Sequence, residues 1–234
     1  MFATLAVIST APVLAVLFYI YIRDQYEKEP WRLLIVGIVF GVIITHPIIQ
    51  TENVIASFIP ITGIIGEAFY SSFLVAAFTE TAYKFTVLFL LTWRNKNLNE
   101  RFDGIVYSVF ISLGFAGLEN VMYVFNPQIG GISTALSRAF LSVPAHGLFA
   151  VTTGYYFAMA KFVPKKRSMY LLKAFLVTWL IHGTYDFILL SGMTYYLLFF
   201  IPFLVLLWIN GFRQMKRHIQ ASPFKLHRHK KSAE

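Results

Sequence analysis

Residues 69–93, FYSSFLVAAFTETAYKFTVLFLLTW, form one apolar stretch that is long enough to cross a bilayer as a helix. Glu80 and Lys84 lie near its middle. An ionisable group placed in hydrocarbon at this depth costs about 3 kcal/mol or more, so it normally faces protein or a water-filled cavity. Residues four apart share one face of a helix, which lets the carboxylate and the ammonium pair. A structural ion pair and an intramembrane functional site both fit this pattern, and we favour the second.

The composition indicates a membrane protein. The chain is 57% hydrophobic and only 13% charged, with a mean hydropathy of +0.64. Several apolar runs are too long for the core helices of a soluble domain of 234 residues. We therefore predict an all-α fold, a polytopic bundle of about seven transmembrane helices. The absence of cysteine excludes disulfides, Cys-ligated zinc and iron–sulfur sites.

The seven predicted spans form a transmembrane domain of residues 1–212, which is followed by a basic cytosolic tail of residues 213–234. The first span is expected to be a retained helix, because no Lys or Arg precedes it and no small-residue cleavage site follows. Residues 50–66 are expected to fold back along the membrane surface, and residues 126–142 to form a loop and a short interfacial helix. The tail is expected to be disordered beyond its first turns. The predicted spans are residues 2–22, 31–49, 69–93, 103–125, 143–162, 169–190 and 195–211.

The basic residues predict the orientation of the bundle. Of the 20 Lys and Arg residues, all but Lys84 and Arg138 fall in alternate loops or in the tail. Since cytosolic loops are enriched in positive charge, the N-terminus is expected outside and the C-terminus in the cytosol. The net charge of +9 is then explained by topology and by attraction to anionic lipid, and no nucleic-acid partner is expected.

Ionisable side chains on five predicted helices fall at one depth. At about 1.5 Å per residue they lie about 18 to 24 Å from the cytosolic ends of their spans, in the outer half of a core about 30 Å thick. This coincidence predicts that they meet in one site, except that His46 is expected to be only an interhelical hydrogen-bond donor. These residues are His46, Glu80, Glu119, His146, His182 and Asp186.

Spacing within the motifs supports convergence. His182 and Asp186 are four apart, as are Glu119 and Tyr123, so each pair shares a helical face. Small residues next to these motifs would let the helices approach closely. They are Gly114, Gly117, Gly147 and Gly183.

Three chemistries fit such a layer. A carboxylate near an imidazole can deprotonate a water while a second imidazole donates to an oxyanion, which together hydrolyse a peptide bond without a covalent nucleophile. Two histidines and a carboxylate can instead bind zinc with a water in the open position. A transporter could use the same groups as a proton relay.

Five sequence blocks, in order and spacing, closely resemble the PrsW family of bacterial intramembrane proteases over residues 1–212. The family belongs to a group that includes the CAAX-prenyl endopeptidases and the bacteriocin-immunity Abi proteins. The resemblance implies site-1 cleavage of a single-span anti-sigma factor on the extracytoplasmic side of the plasma membrane, the first step in regulated proteolysis of a stress response. The blocks are EKEP (27–30), the E-x-x-x-K of Glu80 and Lys84, FDGIVYSVFISLGFAGLENVMYV (102–124), VPAHGL (143–148) and HGTYDF (182–187).

The resemblance also implies roles for individual residues. Glu80 matches the first glutamate of the E-E-x-x-K block and would activate water, assisted by His146. His182 and Asp186 match a block that is proposed to polarise the scissile carbonyl, with Asp186 orienting His182. Glu119 and Asn120 match the family's E-N pair. This mechanism requires no cofactor; the alternative is Zn²⁺ bound by His146, His182 and Glu80.

One position departs from the family pattern. Thr81 stands where the family usually has a second glutamate, and a threonine can hydrogen-bond but cannot carry charge. If the second carboxylate only orients its neighbour, Thr81 suffices, and this is the interpretation we favour. If it binds metal or accepts a proton, the chain would be a weakened or non-proteolytic relative.

Overall fold

The structure, a computed structural model, describes residues 2–59 and 63–225, and the regular secondary structure of these residues is entirely helical. A π-helical segment, Tyr70–Ala77, joins α3 to α4 without a break, and a 3-10 turn, Pro164–Lys166, leads into α8. The α-helices are α1 (Phe2–Arg23), α2 (Trp31–Ala56), α3 (Ile64–Phe69), α4 (Phe78–Thr92), α5 (Arg101–Val124), α6 (Ile132–Phe140), α7 (Ser142–Phe162), α8 (Arg167–Leu190) and α9 (Thr194–Gln220).

Five helical stretches among the described residues are long and apolar enough to cross a bilayer: α1, α2, Ile64–Thr92, α5 and α9. Two more helices, α7 with 21 residues and α8 with 24, are also long enough, but they carry the polar side chains of the site described below. The predicted all-α membrane bundle is confirmed. The seven-span count and the outside location of the N-terminus stay predictions.

Helix α5 lies at the centre of the bundle, with nearly every residue of its first four turns buried. Its closest neighbour is α7. A Cβ atom added to Gly104 would lie 2.8 Å from the Gly154 carbonyl oxygen, and one added to Gly154 would lie 2.3 Å from the Gly104 oxygen. Because only glycine lets backbones approach this closely, the two glycines hold α5 directly against α7.

A second face of α5 packs equally closely against α2. A Cβ on Gly114 would lie 2.3 Å from the Ile38 carbonyl oxygen. The expectation that Gly114 permits a close helix approach is therefore confirmed. Gly117 is different, because a Cβ there would meet only the Val13 side chain at 3.6 Å, an ordinary contact distance. Helix α5 is thus packed closely against both α2 and α7.

Helix α2 is longer than predicted. It passes through Pro47 and ends at Ala56, so residues 50–56 are helical and do not fold back along the surface as expected. Pro47 has no backbone N–H and so removes one hydrogen bond of the helix, yet α2 continues for two more turns. The Thr51 hydroxyl hydrogen-bonds the Pro47 carbonyl at 2.8 Å and the Tyr83 hydroxyl at 3.0 Å. Residues 60–62 of the same segment lie outside the described residues.

The π-helical segment immediately precedes the turn that carries Glu80. Within it the Phe73 carbonyl accepts a hydrogen bond from the Phe78 amide, five residues on, and another from Trp179 Nε1 at 2.7 Å. The bond from Trp179 thus links the π-helical segment to α8 just before Glu80. Such π-helical turns are frequent near functional sites. The sequence pattern did not predict it.

The last helix runs to Gln220, nine residues beyond the predicted end of span seven. Met215 and His218 are almost fully buried, and His218 Nδ1 lies 2.9 Å from the Arg101 carbonyl oxygen. The basic tail therefore begins as a continuation of α9 that packs against the start of α5. Residues 226–234, for which disorder is predicted, lie outside the described residues.

Candidate active site

The predicted site residues meet between α4, α5, α7 and α8. Glu80, His146 and His182 are all nearly buried, with exposed fractions of 4, 6 and 4%. Glu119 lies 18 residues after the start of α5 at Arg101, about 27 Å along the helix, but only five residues before its end. The site is therefore close to the end of the bundle that is remote from the basic loops.

Glu80 is the centre of the cluster. Its Oε2 atom lies 2.6 Å from Lys84 Nζ, as the four-residue spacing predicted. The same oxygen lies 3.9 Å from His146 Nδ1 and 4.0 Å from His182 Nε2. One carboxylate oxygen thus faces an ammonium group and two imidazoles that come from two other helices. Lys84 also lies 3.5 Å from His146 Nδ1, and its Nζ is 3.8 Å from the centre of the Phe115 ring.

His182 is held on two sides. Its Nε2 lies 3.2 Å from Asp186 Oδ2 on the same face of α8, which confirms the predicted contact. Its ring stacks on Phe149 of α7, with 4.7 Å between ring centres. The carboxylate and the aromatic ring together fix the imidazole in the plane that faces Glu80.

His146 is oriented by α5. Its Nε2 lies 3.1 Å from Glu119 Oε2, while Ser112 of α5 hydrogen-bonds the backbone carbonyl of His146 at 3.3 Å. Because Glu119 binds the far nitrogen, the Nδ1 atom of His146 is turned toward Glu80. Glu119 therefore acts on the cluster through His146.

Arg138, on α6, completes the support, and sequence reasoning missed this role. Its guanidinium bonds Glu119 Oε2 at 2.7 Å and Asn120 Oδ1 at 2.9 Å. Asn120 in turn donates to the Ser9 carbonyl at 2.7 Å, which ties α5 to α1. The signal in the sequence was that Arg138 is the one basic residue outside both the spans and the predicted cytosolic segments.

A cavity of about 220 Å³ opens onto this cluster. Since a water molecule occupies about 30 Å³ in the liquid, the cavity has room for several waters or for a peptide group with one water. Four of its lining residues are acidic and only one is a Lys or Arg. Its polar lining is Glu52, Glu80, Glu119, Tyr123, Arg138, Ser142, His146, His182, Tyr185 and Asp186.

Glu52 was also missed. Sequence reasoning placed it in a surface segment, but the extension of α2 carries it to the cavity wall. The Thr51 hydroxyl contacts Tyr83 in this last part of α2, a contact between distant residues that the local sequence does not reveal.

Thr81 lies in a second, smaller space next to the main cavity. This space of about 20 Å³ is lined by Thr81, Lys84 and His182 together with hydroxyl groups of α5, α7 and α8, and it has room for one water. The Thr81 hydroxyl is buried and has no hydrogen-bond partner among the described residues. Thr81 is therefore beside the cluster but does not line the main cavity.

His46 does not join the cluster. Its side chain is exposed on α2 and does not line the cavity, so His46 lies outside the site as expected, but among the described residues it donates no hydrogen bond to another helix. Depth alone does not decide which face of a helix a residue occupies, and His46 lies on the outward face of α2.

The donor set at the centre fits a zinc ion. Glu80, His146 and His182 offer one carboxylate oxygen and two imidazole nitrogens that all lie within 4.8 Å of one another. Two histidines and a glutamate are typical of catalytic zinc sites, and a carboxylate such as Glu119 on the far nitrogen commonly orients a metal-bound histidine. The Lys84 ammonium contacts two of these atoms, so it would have to withdraw from them.

Comparison with known proteins agrees with the resemblance. The sequence model of the "PrsW family intramembrane metalloprotease" matches residues 29–207. The chain is 38% identical over 209 residues to a protein named protease PrsW from Geobacillus kaustophilus, with 88% of each chain covered. It is 37% identical over 210 residues to protease PrsW of Bacillus subtilis, covering 88% of this chain and 92% of the relative. Protease PrsW of Clostridioides difficile is 34% identical over 221 residues, with 93% and 92% covered.

No solved structure matches the chain. The family match nevertheless spans most of the sequence and includes every residue of the cluster around Glu80. The protein is thus a multi-pass membrane protein and a peptide hydrolase, and the chain belongs to the PrsW family of intramembrane proteases.

Proposed function

We propose that the chain is an endopeptidase that cleaves a single-span membrane protein at the cavity around Glu80. One observation carries this proposal. Glu80 Oε2 lies about equally far from His146 Nδ1 and His182 Nε2, at 3.9 and 4.0 Å, on the wall of a cavity large enough for a peptide group and a water. A buried carboxylate between two imidazoles in water-accessible space suits water-mediated hydrolysis.

Glu80 is the proposed general base. Its contacts with Lys84, His146 and His182 are all made by Oε2, which leaves Oε1 for a water. Glu80 takes a proton as the water oxygen attacks the scissile carbonyl, and it returns that proton to the amine that leaves. Lys84 holds the carboxylate in place and balances its charge.

His182 is the proposed donor to the oxyanion. The charge that develops on the carbonyl oxygen needs a fixed hydrogen-bond donor in a site with little water. His182 is held for this purpose by Asp186 and by Phe149. Asp186 accepts a hydrogen bond from His182 Nε2, the nitrogen that also faces Glu80, so it orients the ring before reaction and releases this N–H to the oxyanion as charge develops.

His146 assists Glu80, and Glu119 and Arg138 position His146. The chain of contacts runs from Arg138 to Glu119 at 2.7 Å, from Glu119 to His146 at 3.1 Å, and from His146 toward Glu80. Glu119 already bonds two side chains, so it supports the site and is not itself the base.

A zinc-dependent mechanism is the second candidate, favoured by the spacing of Glu80, His146 and His182. A zinc ion held by these residues would act as a Lewis acid on water and the scissile carbonyl. The same three side chains would then hold the metal. Glu119, bonded to the far nitrogen of His146, would orient that histidine, whereas Asp186 would have to release His182 Nε2, the nitrogen that faces Glu80.

The substrate and the side of cleavage follow from two separate arguments. The resemblance to the family supports an anti-sigma factor, cleaved at site 1. The position of the cluster near the end of the bundle remote from the basic loops supports cleavage close to the extracytoplasmic side.

The proposal is tested by cleavage of a candidate single-span anti-sigma factor by the purified protein in detergent. We expect His182→Ala to abolish cleavage, while His46→Ala, which removes an exposed histidine outside the cavity, leaves it unchanged. Both variants should be produced at wild-type levels. Equal cleavage by His182→Ala and wild type would reject the site.

A strong zinc chelator separates the two mechanisms in the same assay. Cleavage that persists in the chelator supports water activation by Glu80 alone. Cleavage that is lost and then restored by added zinc places Glu80, His146 and His182 around a metal ion.

A further inference from the structure

A second buried polar cluster lies at the other end of α5. Asp24 follows α1, Glu100 caps the start of α5, and Asp103 lies in its first turn. We call these three residues the acidic cluster. Their exposed fractions are 0, 2 and 0%, although they are carboxylic acids next to the predicted cytosolic surface. Asp103 is 16 residues from Glu119, about 24 Å along α5, so this cluster is separate from the candidate active site.

Local hydrogen bonds satisfy only one carboxylate oxygen of each of these side chains. Asp103 Oδ2 accepts from the backbone amides of Asn99 and Glu100 at 2.8 and 2.7 Å, and the Glu100 side chain accepts from the Asp103 amide in return. Asp24 Oδ2 accepts from the Glu29 amide at 3.1 Å. Three buried oxygens have no partner among the described residues: Asp24 Oδ1, Asp103 Oδ1 and Glu100 Oε2.

No Lys, Arg or His side chain among the described residues forms an ion pair within 4.0 Å with these oxygens. In residues 2–59 and 63–225 every ion pair within 4.0 Å belongs to the cluster around Glu80, and none includes the acidic cluster. The neighbouring Glu29 accepts a hydrogen bond from the Tyr107 hydroxyl.

The geometry of the acidic cluster suits one metal ion. One ligand oxygen from each of the three residues can be chosen so that all lie within 4.8 Å of one another. Around Mg²⁺ at about 2.1 Å, ligand oxygens are separated by about 3.0 to 4.2 Å, and around Ca²⁺ at about 2.4 Å by about 3.4 to 4.8 Å. A set made only of carboxylate oxygens selects hard cations of this kind, whereas zinc prefers nitrogen and sulfur ligands.

We propose that Asp24, Glu100 and Asp103 bind a hard divalent cation, Mg²⁺ or Ca²⁺. The ion neutralises the unpartnered oxygens and joins the loop after α1 to the loop before α5. It thereby fixes α1 against the central helix of the bundle at the end remote from the active site. This proposal does not depend on the mechanism at Glu80.

The test uses the full-length protein purified in detergent and stripped of metals with a chelator that is then removed. Titration with Mg²⁺ or Ca²⁺, followed by calorimetry, is expected to show one saturable site. The thermal unfolding midpoint should rise with cation concentration, because the ion binds only the folded state. The cation that binds more tightly identifies the natural occupant.

Two variants locate the site. Glu100→Gln and Asp24→Asn keep the size of each side chain and are expected to weaken cation binding about tenfold or more. Glu67→Gln, which changes an exposed glutamate elsewhere, and Glu80→Gln, which changes the active site, should bind like wild type. The proposal is overturned if wild type shows neither binding nor a shift in unfolding, or if Glu100→Gln and Asp24→Asn bind as tightly as wild type.

A second measurement needs no variant. Tb³⁺ replaces Ca²⁺ in oxygen sites and emits when a nearby tyrosine is excited, and Tyr107 contacts Glu29 beside the cluster. We expect tyrosine-sensitised emission from the wild-type protein that is displaced by Ca²⁺ or Mg²⁺. Emission that neither ion displaces would contradict the assignment.

Discussion

At the scale of single residues, helix geometry made the contacts within one helix predictable. A spacing of four residues placed Lys84 against Glu80 and Asp186 against His182, and both pairs are in contact at 2.6 and 3.2 Å. Contacts between helices depend on rotation about each helix axis, which the sequence does not state. His46 shows this limit, since it has the predicted depth but faces outward.

Thr81 is expected to be sufficient in place of a glutamate. Its hydroxyl borders a space of about 20 Å³ that has room for one water between Lys84 and His182, so a hydrogen-bonding group is what this position requires. We predict that Thr81→Ser cleaves like wild type and that Thr81→Val, which cannot hydrogen-bond, is slower by roughly tenfold. Initial rates of substrate cleavage measure both effects.

The same assay with Thr81→Glu provides the counter-test. A carboxylate needs more room than this space offers, so we expect no gain in activity. A large gain over wild type would mean that the threonine weakens this member of the family.

Arg138 and Glu119 are expected to act as one unit. Arg138 holds Glu119, and Glu119 holds His146 toward Glu80. Removal of either residue lets His146 turn away from Glu80, so both removals should have the same effect. We predict that Arg138→Gln and Glu119→Gln each lower kcat by roughly 10- to 100-fold. The double variant should be as active as the less active of the two single variants.

The readout for this pair is a double-mutant cycle on kcat and KM. Arg138→Lys, which keeps the charge but not the fork of two donors, should recover part of the activity. Additive losses in the double variant would show that the two residues act independently.

At the scale of helices, the length of apolar runs predicted the spans, whereas tertiary contacts determined where helices end. The burial of Met215 and His218 against the start of α5 carries α9 to Gln220. The extension of α2 to Ala56, where Thr51 contacts Tyr83, brings Glu52 to the cavity. The π-helical segment before Glu80 rests on the bond from Trp179 to Phe73, a contact between distant parts of the chain.

Close contact between α2 and α5 is expected to be essential for stability. A Cβ on Gly114 would lie 2.3 Å from the Ile38 carbonyl oxygen, a backbone atom that cannot move aside alone. We predict that Gly114→Ala destabilises the bundle by about 1 to 3 kcal/mol, measured by thermal or denaturant unfolding in detergent.

Gly117→Ala is the matched control on the same helix, because its Cβ would meet only Val13 at 3.6 Å. It should unfold within about 0.5 kcal/mol of wild type. Equal destabilisation by the two variants would show that loss of glycine flexibility, and not helix contact, is responsible.

At the scale of the whole molecule, α5 connects two buried polar clusters of different chemistry. The site around Glu80 mixes carboxylates with histidines and cations, whereas the acidic cluster offers only oxygen. The sequence predicted most of the first cluster because ionisable residues are conspicuous within apolar spans. The second was not predicted, since acidic residues next to basic loops are typical of ordinary solvated segments.

The orientation of the bundle can be tested because the chain has no cysteine. We predict that a single cysteine at position 129, introduced as Ile129→Cys, is labelled in intact cells by a membrane-impermeant maleimide. Lys96→Cys should be labelled only after the cells are opened. Both positions are exposed, so access depends only on the side of the membrane. The reverse pattern would invert the predicted topology and move cleavage to the cytosolic side.

Glu80→Gln tests the central claim most directly. The variant keeps the size of the side chain but cannot accept a proton from water, whereas Glu67→Gln makes the same change at an exposed position on the same continuous helix. Cleavage of a single-span substrate by the purified proteins should fall by at least about 10³-fold for Glu80→Gln and stay at the wild-type rate for Glu67→Gln. Cleavage by Glu80→Gln at the wild-type rate would contradict the assignment of this cavity as the active site.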